Sequence, residues 1–215
     1  MNVNVNLKPY SINNTRFQLK KNSGNLLYVD AKDVLCCEDK AFLEKKWIEP
    51  GDICQPTEKD RQRGFQIYQR DEPGDVRLGA KPHQSELIDC LSSCWLRGYH
   101  GMDFFVLHPL RDFKQLSLTL SSFTTSSGKL LQSDAVEICQ IEIWPQKTQW
   151  FSTDFIYAPE LIHNHHKCSL KEGVPQQFAL RWTLPRTVQP GDYNGHILCN
   201  ENKMLSVQLH IPNYD

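Results

Sequence analysis

Strict two-residue alternation, repeated in four separate runs, is the feature that most constrains what this chain can fold into. Leu116, Leu118 and Leu120 alternate with Ser117 and Thr119, and Cys139, Ile141 and Ile143 with Gln140 and Glu142. Phe178, Leu180, Trp182 and Leu184 alternate with Ala179, Arg181 and Thr183. Leu205, Val207, Leu209 and Ile211 alternate with Ser206, Gln208 and His210. Successive side chains of a strand point to opposite faces, so each run offers one apolar and one polar face; a helix sorts its residues with a different period. Turn residues separate the runs at Ser126-Ser127-Gly128, Pro190-Gly191-Asp192 and Asn200-Glu201-Asn202. The pattern predicts a mainly β protein, with antiparallel strands of an immunoglobulin-like or accessory-type β-sandwich covering one core.

Residues 1–60 have a different texture and read as an N-terminal extension, with the sandwich domain spanning 61–215. Phe17-Gln18-Leu19 and Leu26-Leu27-Tyr28-Val29, separated by Asn22-Ser23-Gly24-Asn25, predict a hairpin. A helix is expected over 31–47, capped by Asp30 or Asp33, with Lys45 and Lys46 at the negative end of its dipole. Pro50-Gly51 stops it, and the charged stretch 58–63 precedes the sandwich.

Composition narrows the function classes. The 215 residues are 40% hydrophobic and 23% charged, values of a folded globular protein rather than a disordered one. A net charge of −1 gives no basic excess for nucleic acid or anionic lipid. No apolar run approaches the roughly 18 residues of a membrane-spanning helix. The start, Met1-Asn2-Val3-Asn4-Val5-Asn6, lacks the pattern of a secretory signal, so a cytoplasmic location is expected. The eight cysteines include no CxxC and are expected to be reduced and mostly structural. Cys36 and Cys37 are adjacent, Cys90 and Cys94 have helical spacing, and Cys139 and Cys199 fall in strand-like runs.

Three blocks carry a resemblance. The first is Trp182-Thr-Leu-Pro185 followed by Pro190-Gly191-Asp192-Tyr193-Asn-Gly195. Here Tyr193 and Ile197 are expected to point inward, and Gly195 to mark a bend or a close approach. The second is Arg97-Gly98-Tyr99-His100-Gly101, an apolar strand, and Pro109-Leu110-Arg111-Asp112-Phe113. The third is Gly64-Phe65-Gln66-Ile67-Tyr68 with Glu86 downstream. In this order they resemble the N-terminal sandwich domain of glycoside hydrolase family 123 and its barrel-bearing relatives, over residues 64–214. The family's acidic residue after Arg-Gly is replaced here by Tyr99 or His100. Those relatives continue into a catalytic barrel beyond the position matching Asp215, and the carboxylates of their chemistry lie in that barrel. The resemblance implies a fold and an accessory role; it carries over no catalytic residue.

Two clusters are candidate sites. His163, His165, His166 and Cys168 are imidazole and thiol groups of the kind that bind zinc or copper, although the same run reads equally as a polar loop. Trp144, Trp150, Phe151, Asp154 and Tyr157 supply aromatic faces beside polar groups, suited to a sugar or to a protein partner. No motif for nucleophilic catalysis, zinc peptidase chemistry or phosphate binding is present in the sequence. Asp71-Glu72, Asp33, Glu38, Asp39 and the run around Arg61-Gln62-Arg63 read as solvated charge. The leading expectation is a non-catalytic module that binds a protein partner or a larger assembly. The alternatives are a carbohydrate-binding module using 144–157 and a metal protein or enzyme using 163–168.

Overall fold

A computed structural model describes residues 16–20, 26–30, 48–70, 76–147, 155–164 and 167–213. The chain divides into two compact units, one of Met1–Lys45 with Lys147–Ile156, the other of Lys46–Gln146 with Tyr157–Asp215. In the first, β1 (Arg16–Lys20) and β2 (Leu26–Asp30) pair antiparallel with Phe17 opposite Val29, the expected hairpin. The helix expected over 31–47 lies outside the described residues, as do Cys36 and Cys37.

The second unit is the sandwich. A short helix, α1 (Glu58–Arg63), leads into β3 (Phe65–Tyr68). The strands that follow are β4 (Cys90–Cys94), β5 (His100–Pro109), β6 (Phe113–Leu116), β7 (Leu118–Leu120) and β8 (Val136–Lys147). They continue with β9 (Phe155–Asn164), β10 (Cys168–Leu170), β11 (Gln176–Thr183), β12 (Gly191–Cys199) and β13 (Asn202–Ile211). Among the described residues one sheet has the order β3-β5-β11-β8-β9 and a second the order β4-β13-β12-β7, with β10 and β6 as a separate pair. One apolar core collects Phe105, Phe178 and Trp182 from the first sheet and Tyr193, Leu205 and Val207 from the second. That shared core is what makes the two sheets a sandwich.

Local chemistry explains most of the elements. The hairpin β12–β13 turns on Asn200 and Glu201, both with positive φ, as a two-residue type I′ turn requires. Tyr193 and Ile197 point into the core as expected, and the Tyr193 hydroxyl donates to the Gln189 carbonyl at 2.9 Å. Gly195 is a close approach, since a Cβ there would lie 2.7 Å from the Phe123 ring. The expected Pro190-Gly191 turn is displaced: the chain turns at Pro185–Val188, where the Val188 N–H reaches the Pro185 carbonyl at 3.1 Å, and Gly191 already opens β12.

Four other expectations are corrected. The alternating run 116–120 is two strands, β6 paired with β10 and β7 paired with β12, and the chain changes sheet at Ser117. Cys90 and Cys94 have helical spacing but lie on β4, which runs parallel to β13, so the sheets are not wholly antiparallel. The outward face of the five-stranded sheet is also buried, taking in Gln66, His108, Gln177, Cys139 and Ala179. The stretch 58–63 is not simply solvated charge, because Asp60 is only 4% exposed. Thr57 and Asp60 form a capping box: the Asp60 N–H donates to Thr57 Oγ1 and the Thr57 N–H donates to Asp60 Oδ2.

Candidate functional site

The structure brings members of both sequence clusters onto one pair of strands. Trp144 lies on β8 and Tyr157 on β9, both half-buried. His163, also on β9, meets Glu142 of β8 with Nε2 and Oε2 2.8 Å apart, and both side chains are exposed. The ladder between β11 and β8 ends at Gln140, so beyond it β9 is the strand neighbour of β8 among the described residues. Ile162, His163 and Asn164 are exposed on the edge strand. Trp150, Phe151, Asp154, His165 and His166 lie outside the described residues.

Cys168 is on β10, half-buried against the core. Burial, with a smaller contribution from neighbouring Cys199, pushes its thiol up to about 11, so at neutral pH it is a protonated, weakly polar group. Among the described residues no three His, Cys, Asp or Glu side chains gather in a metal-binding group. The six described cysteines, at 54, 90, 94, 139, 168 and 199, are free thiols.

The densest polar constellation lies elsewhere, at the β3 end of the same sheet. Arg70 follows β3; its side chain is buried with that of Glu49 beside half-buried Glu86, and it donates to Glu49 Oε1 and Glu86 Oε1 at 2.9 Å each. His83 joins them: Nε2 lies 3.0 Å from Glu49 Oε1, and Nδ1 lies 2.9 Å from the Asp52 carbonyl oxygen. The backbone N–H groups of Lys81 and His83 donate to Glu49 Oε2 and Glu86 Oε2. Sequence reading missed this group because its members are scattered from position 49 to position 86. The one signal was Glu86, in its place in the family-like block.

A cavity of about 320 Å³ opens beside it, lined by Thr57, Lys59 and Asp60 on one side and Gln84, Leu87 and Asp89 on the other. Its walls are tied by Lys59 Nζ to Asp89 Oδ1 at 3.1 Å, and Gln84 of the lining accepts from Cys54 Sγ at 3.1 Å. Burial alone raises the Asp60 carboxyl, but hydrogen bonds from Thr57 and the charge of Arg63 outweigh it and hold Asp60 below its ordinary value. A general acid needs the opposite shift, so Asp60 serves as a structural carboxylate.

Two further clusters belong to the fold. Asp103 Oδ2 accepts both indole N–H groups, from Trp95 at 2.8 Å and Trp182 at 2.6 Å, joining two of the family-like blocks. On the outward face of the five-stranded sheet, Tyr68 and Gln177 stand on either side of Val106, with His108 one step along β5. The Tyr68 hydroxyl, His108 Nδ1 and both amide atoms of Gln177 are buried without a hydrogen-bond partner among the described residues.

Comparison with known proteins agrees with the fold. The chain is similar to a family 123 glycoside hydrolase from Clostridium perfringens, studied for glycolipid glycan hydrolysis, with TM-score 0.52 and 16% identity over 61% of this chain. That likeness is distant and concerns the fold, and this chain spans 24% of the enzyme's length. A weaker similarity, TM-score 0.32 at 13% identity over 57% of this chain and 29% of the other, is to the alkylpurine DNA glycosylase AlkC from Pseudomonas fluorescens bound to DNA containing an abasic-site analogue. No protein-family model and no curated protein sequence matches the chain. Among the described residues no helix is long and apolar enough to cross a membrane.

Proposed function

We propose that this chain is a non-catalytic binding and assembly module, a β-sandwich that works through a protein partner. The observation that carries this reading is the β8–β9 edge. β9 is a ten-residue edge strand with Ile162, His163 and Asn164 exposed, beside half-buried Trp144 and Tyr157. An exposed apolar side chain beside partly exposed aromatic groups on paired strands is what a partner surface needs. The arginine-paired carboxylates support the same reading. Glu49, Glu86 and Asp60 are each held by an arginine, and a carboxylate committed in this way is not poised for proton transfer. The distant likeness to part of a family 123 glycoside hydrolase supports an accessory role beside a glycan-acting enzyme.

The test is native isolation from the source cell with mass spectrometry of the eluate, comparing wild type with Ile162→Glu. A stoichiometric partner lost in the variant is expected, and a lone wild-type protein overturns the reading. The partial exposure of Trp144 and Tyr157 favours a second reading, a carbohydrate module. A glycan array with Trp144→Ala and Trp150→Ala as controls separates the two, because the sugar reading requires a glycan signal that both variants abolish. Metal analysis of the same eluate tests the histidine cluster.

A further inference from the structure

The polar constellation around His83 joins two stretches of chain that no strand ladder holds together. One is the segment 49–54, at the beginning of the second unit and shortly after the first unit's Lys45. The other is the strap 80–83, which leads into the 3₁₀ turn Gln84–Glu86. Their backbone link is the Cys54 N–H donating to the Pro82 carbonyl at 2.9 Å. Otherwise they are held by side chains: Glu49 accepts from the Lys81 N–H, Arg70 bridges Glu49 and the Lys81 carbonyl, and the His83 ring meets Glu49 and the Asp52 carbonyl. Gly51 lies against that ring with φ +81°, a conformation that lets the turn pass close to the imidazole.

The two contacts of the ring define its protonation state. Nδ1 faces a carbonyl oxygen and Nε2 faces a carboxylate oxygen, and both are acceptors. A neutral imidazole has one N–H and one lone pair, so one of its nitrogens would confront an acceptor with a lone pair; the imidazolium donates at both. The surrounding charges agree. Glu49 faces the ring from the segment and Glu86 from the 3₁₀ turn, with Arg70 bound to both carboxylates from the end of β3, while Asp52 and Lys81 contribute backbone groups. Two carboxylates, the buried Glu49 and the half-buried Glu86, are balanced by the Arg70 guanidinium and by His83 when it is charged. When His83 is neutral one carboxylate is left in excess, and either the Asp52 carbonyl or Glu49 loses the hydrogen bond from the ring, while Arg70 and the Lys81 N–H still donate to Glu49.

We propose that His83 is a proton-operated clasp that holds the segment 49–54 against the strap 80–83 when protonated and loosens it on deprotonation. Arg70 keeps its bidentate hold on Glu86 in both states, so the sandwich itself stays folded and the opening is local. The opening has a second consequence. Past Cys54 the same chain continues into Thr57 and α1, one wall of the 320 Å³ cavity, and past His83 the strap continues into Gln84 and Leu87 on the other wall. The clasp therefore ties these two walls at one end, as the Lys59–Asp89 ion pair ties them within the cavity lining, and its release frees the cavity to widen. A histidine responds in the pH range where cells regulate proton concentration, so the device needs no ligand other than the proton.

Hydrogen exchange on the full chain tests this, with rates corrected for the intrinsic pH dependence of exchange. From about pH 6 to about pH 9 the protection of the Cys54 amide is expected to fall as His83 loses its proton. The amides of β11 should keep their protection throughout. His83→Gln should lower Cys54 protection at every pH and remove its pH dependence. A flat wild-type profile, or a variant that follows the wild-type profile, overturns the clasp. A second measurement needs no variant: an NMR titration of the His83 ring in the wild-type chain. It should titrate above the ordinary 6.5, and a value at or below that overturns the proposal as well.

Discussion

The two ends of the five-stranded sheet use charged side chains in opposite ways. At the β3 end, Arg70 and Glu49 keep only 8% and 5% of their side-chain surface exposed, and each buried charge meets an opposite charge with hydrogen-bond geometry. At the β9 end, His163 and Glu142 form their pair in the open, with 57% and 48% exposed. The contact distances are similar and the surroundings are not. In water an ion pair replaces hydration that was already favourable, whereas in a dry site each partner is the only source of compensation for the other. The β3 end is therefore where single changes destabilise the protein, and the β9 end is free to vary or to bind.

The sharpest way to break this comparison is Arg70→Met. It leaves the buried Glu49 and the half-buried Glu86 without the guanidinium, and removing one partner of a buried pair costs about 3–5 kcal/mol. Urea unfolding of variant and wild type reads that loss directly, and a change below about 1 kcal/mol, the range of an exposed pair, erases the distinction between the two ends.

Between the ends lies a region that obeys neither rule. Gln177 is fully buried on the outward face, and its amide has no partner among the described residues. A buried unpartnered amide costs about 1–3 kcal/mol. Gln177→Met keeps most of the volume while removing that cost, so a gain of about 1 kcal/mol is expected in the same unfolding assay. A loss of that size instead means that the amide is satisfied by something the described chain does not supply.

The pH dependence of stability separates two histidines close to the strap. Hydrogen bonding to the Asp52 carbonyl and to Glu49 holds His83 above its ordinary value, so its contribution is complete below about 6.5 and is lost as pH rises through its folded value. His108 has the opposite sign. Burial, aided by the charge of Lys81, holds it below its ordinary value against a hydrogen bond to the Ala80 backbone. Its contribution is complete above the ordinary histidine range and is lost as pH falls toward its folded value. His108→Gln should flatten the acid side of a plot of urea midpoint against pH, and His83→Gln the alkaline side. If both variants flatten the same side, one of these assignments is wrong.

These features differed in how far they could be read from residue order. Strands β11 and β13 were legible because inward and outward positions differ in chemistry at every second residue. The change of sheet at Ser117 was not, because Leu116 and Leu118 enter the same core from different sheets and the alternation runs through the crossing undisturbed. The hairpin β12–β13 was legible from its turn residues. The helix α1 was hidden by its charge, although Thr57-x-x-Asp60 is the signature of its capping box. Trp144, Tyr157 and His163 were singled out by residue type, and strand pairing placed them on one edge. Glu49, Arg70, His83 and Glu86 carry no periodicity and no common motif, and only the folding of segment 49–54 onto the strap makes them a unit.

The smallest expected effect closes the comparison. Glu142→Gln removes the charge from the exposed pair on β8 and β9 without changing its shape, and Glu142 does not touch the core. An exposed pair of this kind contributes about 0.2–1 kcal/mol, so the unfolding midpoint should barely move. The same variant should matter more for binding if the edge is a partner surface, since a charge at the rim of an interface acts mainly on association rate and its salt dependence. Glu142→Gln is therefore expected to leave stability nearly unchanged while altering how fast the isolated partner associates at low salt. An unchanged rate places the partner surface away from this edge, and a stability loss above about 2 kcal/mol makes Glu142 a structural residue like Glu49.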